Sequence, residues 1–160
     1  MDVAALHDAF GCAYSSAALR LAEVVRDPPL LVVLYEREER GDPEGWTGPA
    51  VLRARVVKRT AGFGASSSRL ICGRRGGLPR RDKALPSGSL AELAAYSGGM
   101  EYAEGDNLAA IAKPVLWKGR LAKVIVVAVP WERRSVLEPQ LGRQSRPYPS
   151  FDARAVTVAS

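Results

Sequence analysis

At 160 residues, 47% apolar and 25% charged, the chain has the size and balance of one soluble globular domain, able to bury about 70% of its unfolded surface. No apolar run reaches the roughly 18–20 residues that a membrane-spanning helix needs. The N-terminal stretch also lacks the basic flank and apolar centre of a secretory signal, so the expected location is the cytoplasm. The formal net charge of +6, with 18 arginines to 5 lysines, permits an anionic partner without requiring one.

Apolar residues recur every three or four positions from Val3 to Val25 and predict a helix, with Gly11 as a soft point and Pro28-Pro29 as its stop. Residues 30–35 form a short apolar run of the buried-strand kind. The charged stretch 36–45 follows, with Gly41, Pro43 and Gly45 as breakers, and reads as a solvated, self-neutralised loop. Residues 50–58 then alternate, with Leu52, Ala54 and Val56 expected inward and Arg53 and Arg55 outward.

Residues 59–88 read as a long, basic, Gly/Ser-rich loop, with residues 70–72 as a short strand inside it. Ser89 and Glu92 have capping-box spacing and open a helix through Tyr96 that Gly98-Gly99 ends. Residues 107–130 read as two strands joined by a turn at Lys118-Gly119, and the valine-rich return strand is expected at the centre of the core. Pro114 belongs on an edge or at a bulge, because it cannot donate to a ladder. A short helix is expected over 131–138, and residues 142–152 form an irregular, proline-containing connection to a last strand. The expected fold is a single α+β domain over residues 1–160, with a mainly antiparallel central sheet and helices packed on one face.

The order of these elements carries a resemblance. The helix from Ser89, the double glycine, a short acidic connection, the run through Ala109, Ala110, Ile111, Ala112, Pro114 and Val115, the turn at Gly119 and the strand Val124 to Val129 together resemble the C-terminal half of GAF domains and related ligand-binding domains of bacterial regulators. Ala122-Lys123 stand where that family often has a second glycine. The resemblance covers residues 89–130. It implies a GAF/PAS-like sheet with helices on one side and an apolar small-molecule pocket on the other, lined by Tyr96, Glu101, Tyr102, Glu104 and Asp106. The function it implies is that of a non-catalytic regulatory or sensory module.

A second constellation is basic. Arg69, Arg74, Arg75, Arg80, Arg81 and Lys83 crowd one short segment opposed only by Asp82, and Arg53 and Arg55 extend the patch. Such a set can neutralise phosphates without reading bases, so the alternative function is that of a nucleic-acid-associated protein. Aromatic side chains for stacking single strands are missing apart from Phe63. The segment 62–68 can offer backbone amides to an anion but lacks the lysine and helix of a phosphate-binding P-loop.

Catalysis ranks third. His7 is the single histidine, Cys12 and Cys72 are the only cysteines, and no nucleophile, base and stabiliser are brought together by spacing. Those three ligands are too scattered for zinc, and the carboxylates of 101–106 fit no standard cation loop, so no metal site and no particular cofactor are expected. The candidate partners are a small-molecule ligand, nucleic acid and a second copy of the chain as a homodimer, with no membrane partner.

Overall fold

The computed structural model describes residues 14–37, 52–64 and 68–138. Five strands, β1 (Leu31–Arg37), β2 (Leu52–Arg59), β3 (Glu101–Gly105), β4 (Leu108–Trp117) and β5 (Arg120–Pro130), form one antiparallel sheet in the order β2-β1-β5-β4-β3. Helix α1 (Tyr14–Val24) precedes β1, while α2 (Arg69–Cys72) and α3 (Leu90–Ser97) lie between β2 and β3. Turns of 3₁₀ helix occupy Gly73–Arg75 and Trp131–Leu137. The described residues thus form an α+β domain with β5 at the centre of its sheet, flanked by β1 and β4. The expectations for His7, Cys12, the acidic loop beyond Arg37 and the tail after Glu138 lie outside the described residues.

The β4–β5 hairpin forms where the sequence places it. Lys118 and Gly119 both take positive φ (50° and 76°), the geometry whose twist suits a two-residue hairpin. Pro114 pairs opposite Val124, and the register slips immediately afterwards, between Val115 and Leu116. The pairing of β4 with β3 ends at Ala112, so Pro114 has a strand neighbour on one side alone, where a missing N–H is tolerated.

Both faces of this sheet are covered, which corrects the expectation of helices on one face. Val124, Val126 and Ala128 of β5 pack with Val33, Tyr35 and Ala110 beneath α2 and α3. Ile125, Val127 and Val129 pack the other way, with Val32, Leu34 and Ile111, beneath α1 and Leu137. A strand buried on both sides has no polar alternate positions, which is why 124–129 is an unbroken apolar run. Within α1, Ala17, Ala18 and Leu21 are buried, but Val24 is 57% exposed. The helical stripe therefore reaches the core through Leu21 and the half-buried Val25 while Val24 turns outward, and Glu23 pairs with Lys58 of β2 at the surface.

β2 departs from simple alternation. Its pairing with β1 runs Leu34↔Val56 and then Tyr35↔Ala54, leaving Arg55 as an extra residue. The bulge reverses the facing of everything after it. Leu52 and Ala54 join the face under α2 and α3, whereas Val56 packs on the face under α1 and Val57 takes the side expected for Val56.

Residues 70–72 form helix, not strand. Ser68 is the N-cap, its hydroxyl accepting from the Ile71 amide, and the Asp106 carboxylate accepts from the Arg69 amide at 2.6 Å. Two acceptors on the free amides of a short helix outweigh the modest strand preference of Leu70-Ile71. Helix α3 matches its sequence signals: Ser89 accepts from the Glu92 amide at 3.2 Å, Glu92 reaches back to the Gly88 amide at 2.6 Å, and Gly98 closes the helix in the left-handed region.

Candidate functional site

Between α2 and α3 the chain makes a pinned excursion over the edge of the sheet. Gly73 turns the chain out of α2 with φ 58° and ψ −141°, a region that only glycine adopts without strain. The Arg74 amide donates to the Ser87 carbonyl at 3.3 Å, closing the excursion at its neck, and the Ser68 amide donates to the Gly77 carbonyl at 3.0 Å. The returning limb lies along β2: Asp82 N–H to Ala54 O at 2.7 Å, Ala54 N–H to Lys83 O at 2.9 Å, and Leu85 N–H to Leu52 O at 2.8 Å. This segment is tied to the sheet by backbone hydrogen bonds and is not an open loop.

The space enclosed is a cleft of about 770 Å³ between this excursion and the β1–β2 end of the sheet. Tyr35, Ala54, Cys72, Leu78 and Leu85 give it apolar surface, while Arg53, Arg74, Arg75, Arg80 and Lys83 give it charge; among the described residues no acidic side chain lines it. Arg53 also donates to the Asp82 carbonyl at 3.2 Å, which positions it between β2 and the returning limb. Among the described residues, Arg74, Arg75, Arg80 and Lys83 form no ion pair.

Two buried titratable groups line the cleft. Tyr35 is 1% exposed, and its hydroxyl is shut off from solvent without a hydrogen-bond partner among the described residues. Burial, reinforced by the nearby Cys72, pushes the phenol well above its ordinary range, so it stays a neutral donor. An unsatisfied buried hydroxyl costs roughly 1–3 kcal/mol, which makes it an unusual group to keep at such a position. Burial also pushes the Cys72 thiol up to about 11. It is protonated at neutral pH and not a nucleophile.

The raised thiol predicts an alkaline weakness. Below its ordinary 9.0 the thiol is protonated in both folded and unfolded chains, and its contribution to stability is fully present. From there to about 11 only the unfolded chain ionises, so that contribution is progressively lost as pH rises. Urea unfolding at a series of pH values should show wild type losing more stability across this window than Cys72→Ala. Parallel curves would show that the thiol is not held neutral.

The other residues singled out by sequence are divided. Arg55 leaves the cleft to pair with Asp82 at 3.4 Å, Arg81 lies 3.9 Å from Asp82 in solvent, and Arg69 is exposed at the start of α2. Of the five residues that the GAF-like resemblance gathers in a pocket, none lines the cleft. Tyr96 is 73% exposed on α3. Asp106 is consumed in capping α2. Glu104 accepts from the Tyr102 hydroxyl and, at 2.8 Å, from the Trp131 indole, with Arg134 stacked 3.9 Å over that indole. The Tyr102 and Trp131 hydrogen bonds hold the Glu104 carboxyl below its ordinary range. These groups latch the segment after β5 onto β3. Glu101 is one residue from Tyr102 on the same strand, so it projects to the opposite face.

Tyr35, Cys72, Leu78 and Leu85 were not singled out by sequence as site residues. The available signal was Tyr35 itself, the one polar-tipped side chain closing the apolar run 30–35. No protein-family model matches the chain, and no similar protein is found among curated proteins.

Proposed function

We propose that the protein is a non-catalytic, small-molecule-binding module of regulatory type, and that the ligand sits in the cleft between the β1–β2 end of the sheet and residues 72–87. The observation that carries this reading is the cleft itself. Its volume of about 770 Å³ falls within the range of small-molecule sites, and it combines apolar walls with a few polar groups. The neutral thiol and neutral phenol supply no nucleophile or base to it. A GAF-like origin remains part of the proposal and is supported by α3 and the β4–β5 hairpin falling where that resemblance implies. The ligand position is transferred from residues 96–106 to the cleft, because Glu104 and Asp106 are engaged within the fold.

The test is a screen of small metabolites by thermal shift on wild type and on Ala84→Trp, which places an indole in the cleft from an exposed lining position. At a hundredfold excess over Kd a true ligand adds about 2.7 kcal/mol, or roughly 5–10 °C in Tm. Ala84→Trp should melt as wild type without ligand and lose most of that shift. Ligands that stabilise both proteins equally would place binding elsewhere.

A second reading is favoured by the charge of the same cleft. Arg53, Arg74, Arg75, Arg80 and Lys83 could serve nucleic-acid phosphates, in which case binding is indifferent to sequence and falls steeply with salt.

A further inference from the structure

We propose that the cleft's ligand is an organic phosphate, with its phosphate held by Arg74, Arg75, Arg80 and Lys83 and its uncharged body seated against Leu78 and Leu85, from where an acceptor reaches the Tyr35 hydroxyl when the wall opens. This deepens the small-molecule reading and rests on it.

Charge is the first argument. Among the described residues, five cationic side chains and no acidic one line a single cleft, and four of those cations lack an ion-pair partner. Arg74, Arg75, Arg80 and Lys83 are exposed, so solvent and salt screen their mutual repulsion, which is largest at low ionic strength. A dianion removes that repulsion, and guanidinium groups match phosphate oxygens in pairs.

The apolar wall is the second argument, and it separates an organic phosphate from a bare ion. Leu78 and Leu85 are half-buried along the excursion, and Ala54 and Tyr35 lie on the sheet beneath it. An inorganic ion has no use for that surface.

Tyr35 is the third. Its hydroxyl is buried and unpaired among the described residues, at a residue that lines the cleft. Native folds seldom leave such a donor orphaned, and a ligand acceptor reached by a small opening of the wall would satisfy it.

Nucleic acid fits less well. Single strands are held by bases stacked on exposed rings, but the exposed Tyr96 and Trp131 do not line the cleft, and the one aromatic side chain among its described lining residues, Tyr35, is 1% exposed.

Calorimetric titration of the full chain tests this. The probes are pyrophosphate, a panel of sugar phosphates and nucleoside monophosphates, the dephosphorylated counterpart of each, and a single-stranded oligonucleotide. Phosphorylated probes should bind at least about tenfold more tightly than their dephosphorylated counterparts, with affinity falling as salt rises. Arg74→Glu with Arg80→Glu should abolish that preference while leaving Tm within a degree or two of wild type, since among the described residues neither arginine has an ion pair to lose. Tyr35→Phe should weaken organic phosphates by about tenfold, leave pyrophosphate unchanged, and melt no lower than wild type. Equal binding of phosphorylated and dephosphorylated forms, both lost in Ala84→Trp, would overturn the phosphate assignment and leave the small-molecule reading standing. An oligonucleotide binding more tightly than every mononucleotide would overturn it in favour of nucleic acid. Wild-type affinity in Tyr35→Phe would overturn the assigned pose. No binding by any probe, together with a metabolite screen indifferent to Ala84→Trp, would remove both proposals.

Discussion

Val126→Asp should leave no cooperative unfolding transition. Val126 is 1% exposed on the central strand β5, paired with Val33 of β1 and Ala112 of β4, and its side chain lies in the core beneath α2 and α3. An unpaired carboxylate there costs several kcal/mol against a total stability of about 5–15 kcal/mol. Val126→Ala, which only removes methyl groups, should cost about 1–3 kcal/mol and remain folded. Circular dichroism melts of the pair separate the two effects. A Val126→Asp protein that melted as wild type would mean that β5 is not central.

Gly73→Ala should be the most damaging single-methyl substitution at the cleft. A Cβ at residue 73 would stand 1.9 Å from the Ser87 carbonyl oxygen, and φ of 58° adds strain of its own. The obstacle is backbone, so no side chain can rotate away. The excursion must open at its neck, where the Arg74 amide meets Ser87. Strain of this kind costs about 1–3 kcal/mol, and the collision adds to it, so Tm should fall by roughly 6–12 °C. Gly77→Ala is the control, because its added Cβ meets nothing within 4 Å and only the positive φ is strained. If both variants lost the same small amount, the neck would not be closed as described.

The sheet was legible because its signals are local and redundant. The hairpin at Lys118-Gly119 and the helix between Ser89 and Gly98 each carry a start, a periodic face and a stop within a few residues. What escaped sequence reasoning depends on partners distant in the chain. Residues 70–72 became helix because Asp106, far along the sequence, supplies a cap. Val56 changed face because β1 accommodates Arg55 as a bulge, and no feature of β2 alone requires that. The second covered face follows from α1 and Leu137 meeting across the sheet from opposite ends of the chain.

The candidate site shows the same division. The arginines were visible as a cluster, but their meeting with Tyr35 and Arg53 required the backbone bonds between residues 82–85 and β2. The acidic residues 101–106 looked like a site because they were dense in sequence. In space they serve as a helix cap and a latch, roles that density cannot distinguish from ligand binding.

The backbone bonds from residues 82–85 to Leu52 and Ala54 also guard the molecule against self-association. Among the described strands β2 is an outermost one, and an unpaired outermost strand is a template for a neighbouring chain. Its first residues are occupied by the Arg53↔Ala84 bridge, and its later ones carry Arg55, Lys58 and Arg59. Trimming the excursion to abolish ligand binding would therefore strip half of a protected border, and the product should be recovered as aggregate at concentrations where the intact chain stays dispersed.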